Sequence, residues 1–196
     1  MRYLLGLVLF AILATGAQAK GFYVGAYGGA NWASFDVDEP HIQSQADVGY
    51  VIGGVVGTSI DALPGVRIEA DLNYRSNDLD TTICDTPLIV TDETWALLGN
   101  IVYDIPVEVG GLRPYALAGI GYGSRTVGID YTPVSVNNTG LVWQVGAGVN
   151  AEVADGVTFG VGYRYFDAPD FDVAPTGGYH DAGNNHSVIA SLTFAM

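Results

Sequence analysis

His186 and Ser187 are the first residues to weigh, because a serine hydroxyl beside an imidazole is the core of hydrolytic chemistry. A nucleophile and its base must lie within hydrogen-bond reach. Neighbouring residues of a strand point to opposite faces, so these two would not meet. His180 falls in a loop with no defined geometry toward Ser187. Hydrolysis is therefore the remote reading, and no catalytic residue is assigned. Asp36-x-Asp38-Glu39 and Asp170-x-Asp172 offer oxygen ligands of the kind that hard cations take. Neither belongs to the twelve-residue calcium pattern with its glycine. They read as solvated acids, and no metal or cofactor is expected. Cys84 is the single cysteine, so no disulfide forms within the chain. Nothing basic lies near it in sequence to lower its pKa. It reads as an incidental thiol, with a cross-linked dimer as the alternative.

The remaining chemistry is charge. Over Val66–Asn77 the residues Arg67, Glu69, Asp71, Asn73 and Arg75 alternate with Val66, Ile68, Ala70, Leu72 and Tyr74. In a strand this puts mixed charge on one face and apolar side chains on the other. The pattern fits a soluble sandwich, or a closed barrel whose apolar face meets lipid and whose polar face meets the lumen.

Eight segments behave this way: Phe22–Trp32, Val48–Ile60, Val66–Asn77, Thr94–Ile105, Leu112–Gly123, Leu141–Val153, Val157–Phe166 and Ser187–Met196. Segments 61–65, 106–111 and 154–156 are short, and Asp155-Gly156 is a hairpin signal. Segments 34–47, 78–93, 124–139 and 167–186 are long and are expected to be loops. Short turns at one end and long loops at the other, with strands of about 9–11 residues, mark an eight-stranded antiparallel up-and-down transmembrane β-barrel. Aromatics on the apolar faces gather in two bands, as they do at membrane interfaces. Phe22, Tyr103, Phe159 and Phe194 lie near the short turns. Trp32, Tyr50, Tyr74, Trp95, Tyr122, Trp143 and Tyr165 lie near the long loops.

Residues 1–19 carry a basic start, an apolar run and Ala17-Gln18-Ala19, the pattern of a secretory signal peptide. The barrel domain is then 20–196. The chain has 7 Lys and Arg against 21 Asp and Glu, a formal charge of -14. That excludes nucleic acid, which needs a basic footprint. Inward-facing Arg67, Arg75, Arg113 and Arg164 balance Glu69, Asp71, Asp104 and Glu152, and an eight-stranded lumen is narrow enough for side chains to fill. The remaining acids concentrate in the long loops, with Arg125 as their basic partner.

Gly21-Phe22-Tyr23-Val24-Gly25, Arg67-Ile68-Glu69-Ala70, Asn100-Ile101-Val102-Tyr103-Asp104, Arg113-Pro114-Tyr115, Gln144-Val145-Gly146-Ala147-Gly148 and Gly162-Tyr163-Arg164-Tyr165 occur in that order. In this the chain resembles the small outer-membrane barrels of Gram-negative bacteria, the opacity-protein type that includes alphaproteobacterial surface antigens. The resemblance implies an outer-membrane location and insertion by the outer-membrane assembly machinery. Such barrels usually end in an aromatic residue; here Phe194 precedes Ala195-Met196. The expected function is a structural or surface-interaction barrel presenting acidic loops, in adhesion, as a surface antigen or in envelope integrity. Its partners would be membrane lipid, lipopolysaccharide (through bridging divalent ions) and a host or cell-surface ligand at the loops. A narrow porin is the alternative, and an outer-membrane lipid-modifying enzyme the remote one.

Overall fold

The computed structural model describes residues 21–34, 43–46, 48–83, 86–129, 135–168, 171–172, 180–181 and 184–196. Residues 1–20, Cys84 and the Asp36–Glu39 acids lie outside these. So does Asp170, and the side chain of Asp172.

Eight strands build the wall: β1 (Phe22–Ser34), β2 (Gly49–Ser59), β3 (Val66–Ile83), β4 (Thr86–Asp104), β5 (Leu112–Ile129), β6 (Ser135–Ala154), β7 (Val157–Asp167) and β8 (Asn184–Ala195). Each pairs antiparallel with its neighbours in sequence. β1 also pairs with β8, from Tyr23 opposite Ala195 to Ser34 opposite Asn184, which closes the cylinder. Over the span where all eight strands pair, closure leaves no unpaired edge, the condition for a sheet that crosses lipid. Two of the turns at one end reverse through Gly65 and Gly156, at φ 81 and 71, where a side chain would be strained.

The strands are unequal. β3, β4, β5 and β6 run 18, 19, 18 and 20 residues, whereas β1, β2, β7 and β8 run 13, 11, 11 and 12. Segments 78–93 and 124–139, expected as loops, are therefore mostly strand. Ladders continue from Asp78 opposite Thr91 to Ile83 opposite Thr86, and from Ser124 opposite Thr139 to Gly128 opposite Ser135. Backbone pairing persists there because the two strands of each hairpin still satisfy one another's backbone groups, whatever the side chains face. A short strand, 43–46, adds to β3 at 79–82.

The faces are inverted relative to a soluble protein. Ile101, Ile120 and Leu141 are 61%, 58% and 62% exposed on the outside, while Asn31, Asp71, Gln144 and Ser187 are fully buried inside. The interior also holds apolar groups, notably Leu98, Val142 and Phe166 with Ala96 and Ala168, and Val51, Val55 and Ile189 beside Tyr27.

Large inward side chains lie across glycines of the next strand. Tyr23, Tyr27 and Asn31 of β1 stand opposite Gly57, Gly53 and Gly49 of β2. A Cβ on Gly53 would sit 2.5 Å from the Tyr27 hydroxyl oxygen. On the other wall Tyr115 lies over Gly148 and Gly162 in the same way. These bare rails let a side chain reach across one strand and bond to the second.

Candidate functional site

The inward residues of these strands stack in layers along the lumen. At the short-turn end Arg67 forks onto Asp104, with Nε to Oδ2 at 2.7 Å and Nη2 to Oδ1 at 2.9 Å. Its Nη1 reaches Glu69 at 3.1 Å and the Tyr23 hydroxyl at 2.8 Å. Tyr23 crosses Gly57 to donate to Glu69 at 2.7 Å. A cavity of about 370 Å³ opens below this layer, lined by Arg67, Asp104, Arg113, Asn150 and Glu152 among others. Above Arg67 a smaller cavity of about 40 Å³ lies between Tyr27, Tyr115, Glu69 and Arg164.

The middle layer centres on Asp71, which is 0% exposed. Its Oδ1 accepts from Tyr27 at 2.8 Å and Asn73 at 3.2 Å. Its Oδ2 accepts from Arg164 at 2.8 Å, Gln144 at 3.1 Å and Asn100 at 3.3 Å. The donors come from five strands, β1, β3, β4, β6 and β7, so one carboxylate ties the cylinder across its bore. The Arg164 guanidinium also lies 4.2 Å from the Tyr27 ring centroid. Hydrogen bonds to the rest of the carboxylate offset much of the cost of burying this pair, although Arg164 Nε meets no acceptor among the described residues.

Three expectations for the charged lumen are corrected. Arg75 is 1% exposed but pairs with no carboxylate among the described residues: it stacks on Phe166, with its guanidinium carbon 3.7 Å from the ring centroid, and donates to Asn73. Arg113 and Glu152 do not enter the plug; their side chains are 56% and 49% exposed at the mouth, 3.6 Å apart, and Arg113 also bonds Glu108 at 3.1 Å. Strand position placed them at the short-turn rim, where water competes with the pair. Asp92 and Arg125, expected as loop charges, form a buried bidentate pair at 2.8–3.1 Å inside the extended wall. The signal available in the sequence was their inward parity: Asp92 shares a face with Thr94 and Asn100, and Arg125 with Gly121. Asp92→Ala removes the carboxylate facing Arg125. The expected result is protease cleavage of the β3–β4 hairpin under conditions where the parent resists, with the rest of the barrel intact on gels.

A third polar layer, the amides of Asn31, Asn77 and Asn185 with Ser187, joins β1, β3 and β8. Ser187 donates inward to Asn31 at 2.5 Å. His186 lies on the outer face, bonded to Tyr163 and edge-on to Tyr165 at 5.3 Å. Serine and histidine thus face opposite ways and share no site.

The aromatic residues named from the sequence all lie on the outer face. Tyr103, Phe159 and Phe194 are exposed toward the short-turn end, with Phe22 on the same face. At the other end Tyr50, Tyr74 and Trp95 touch in sequence, with centroids 6.0 and 4.7 Å apart, and Trp143 meets Tyr165 at 5.2 Å. Trp32 stands opposite His186, and Tyr122 projects outward.

An apolar outside, a charged inside and a closed wall are the reverse of a soluble fold. Residues 3–194 match the family described as outer membrane protein beta-barrel domain. The chain belongs to that family. It is therefore a protein of the Gram-negative outer membrane. It is 28% identical over 159 residues to a 22 kDa outer membrane protein of Rhizobium leguminosarum bv. viciae, covering 79% of this chain and 67% of that one. Its fold is similar to Neisserial surface protein A, NspA, at a TM-score of 0.65 and 17% identity, covering 90% of this chain and 98% of the other. OprG from Pseudomonas aeruginosa aligns at 0.53 and 12%, covering 90% and 97%. As a member of this family, the barrel crosses the membrane with its strands.

Proposed function

We propose that this barrel is a closed, lipid-embedded stem whose task is contact at the cell surface, not conduction. The observation that carries the reading is the Asp71 hub, whose hydrogen-bond donors from five strands span the bore. Residues 1–19 act as the export signal and are removed. The outward aromatics hold the stem at the two lipid interfaces. Above the outer band, the long hairpins of β3–β4 and β5–β6 present Asp78, Glu93 and a hydroxyl-rich wall to the surroundings. Outer-leaflet lipopolysaccharide and a ligand on a neighbouring or host surface are the partners this wall would meet.

In planar bilayers the purified barrel is expected to give no reproducible conductance steps. Regular steps would instead favour the narrow-pore reading, to which the 370 Å³ cavity at the short-turn end lends support. Replacing residues 78–91 with a short turn is expected to leave a heat-modifiable barrel that no longer supports cell attachment. Unchanged attachment would remove the hairpins from the function.

A further inference from the structure

Three guanidiniums of this lumen, those of Arg75 and Arg125 buried and that of Arg67 partly so, present a two-pronged edge formed by Nε and Nη2. In Arg67 that edge clamps Asp104. In Arg125 it clamps Asp92. In Arg75, which is 1% exposed, Nε and Nη2 meet no acceptor among the described residues. Phe166 covers the face of the guanidinium, and Asn73 takes Nη1. A ring stacked on the face attracts the cation but cannot serve in-plane N–H groups.

The surroundings add charge of one sign. Asn73 links Arg75 to Asp71, and Asp71 holds Arg164. Two guanidiniums therefore crowd Asp71, while the second acid of the adjoining layer, Glu69, sits with Asp104 on Arg67 rather than on Arg75. Arg164 Nε is likewise buried and meets no acceptor among the described residues. Buried charges are found paired, because leaving water without a partner is costly. The partner that fits is an anion. Asp71 nearby repels a dianion, and because Nε and Nη2 have essentially no accessible surface, an ion enters only with local repacking, which favours a small ion over an oxyanion or an organic acid.

From this geometry we infer that the Nε/Nη2 edge of Arg75 binds one small monovalent anion, chloride in the native setting, within the lumen. The ion completes the plug where the chain supplies no carboxylate. This holds whether or not the outer hairpins bind a partner, so the two readings fail separately.

The test uses the full barrel in detergent micelles, with sodium gluconate exchanged for sodium chloride or bromide at constant ionic strength. Halide at about one hundred times its dissociation constant is expected to raise the unfolding temperature by about 5–10 °C. In halide-free buffer Arg75→Met is expected to unfold at or above the parent temperature, because it deletes an unbalanced charge, and to be insensitive to halide. Arg75→Lys keeps the charge but not the fork, and its halide response should drop several-fold. Crystals grown in bromide should show an anomalous peak on the Arg75 edge. An unfolding temperature indifferent to halide, an equal response in Arg75→Met, or bromide crystals with no peak at Arg75 would each overturn the site. Should Arg75→Met fail to fold, the parent's halide response and the bromide map decide alone.

Discussion

Asp71→Ala is expected to lower the unfolding temperature by about 6–20 °C. Breaking a buried ion pair from one side costs about 3–5 kcal/mol, and a chain of this size loses about 2–4 °C per kcal/mol. Arg164 would lose its carboxylate while remaining buried, and Tyr27, Asn73, Asn100 and Gln144 would lose an acceptor together. Arg75 already has no carboxylate among the described residues, so the middle of the bore would hold two cations and no anionic side chain. Asp71→Asn preserves shape and some acceptance, and should fall between the two. Asp78→Asn, on the exposed outer wall, should change stability by no more than about 0.5 kcal/mol. The readout is the temperature at which the folded gel band converts to the unfolded one. Similar small shifts for Asp71→Ala and Asp78→Asn would dissolve the idea of a central hub.

Gly53→Ala is the second large effect. Its new methyl would sit within 2.5 Å of the Tyr27 hydroxyl oxygen, with the phenol ring against it. Overpacking costs about 1–3 kcal/mol, and displacing the ring also breaks its bond to the Asp71 carboxylate, worth about 1.5–3 kcal/mol. Gly54→Ala, one residue along, points outward and meets only a backbone oxygen at 3.6 Å. It should be close to neutral. Tyr27→Ala in the Gly53→Ala background should recover part of the loss, a coupling above about 1 kcal/mol. If Gly53→Ala and Gly54→Ala behave alike, the ring does not depend on the bare rail.

The architecture was readable where one face of a strand meets lipid. Val66–Tyr74 alternates because its two sides see different solvents, and its register follows from that contrast. Just past Tyr74 and Trp95, Ser76, Asp78, Thr91 and Glu93 face outward while Arg75, Asn77 and Asp92 face inward, so the alternation disappears although the strands do not. That is why Asp78–Glu93 reads as a loop and why the Asp92–Arg125 pair escaped notice. The inward parity of Arg67, Glu69, Asp71, Arg75 and Arg164 was equally plain. Their partners were not, because contacts across a bore depend on strand tilt and stagger, which no local pattern encodes. Arg75 shares a strand and a face with Asp71, yet Asn73 stands between them, and its stacking partner, Phe166, comes from β7. Gly49, Gly53 and Gly57 carry no side chain to signal a role; it appears only when Tyr23, Tyr27 and the bonded pair Asn31 and Asn77 are laid across them.

The seam between β1 and β8 sets an order of events. Ser187 bonds Asn31 across 156 positions of chain, and Asn185 bonds the same residue across 154. Contacts of such long separation form late, since loop closure must precede them. The β3–β6 hairpins can pair while the last strand is still being delivered; the asparagine layer cannot. A chain halted before Asn184 would carry a nearly complete wall with two raw edges and an unlocked bore. The lumen is thus a record of completion: its seam-side polar bonds exist only in molecules whose final strand has arrived.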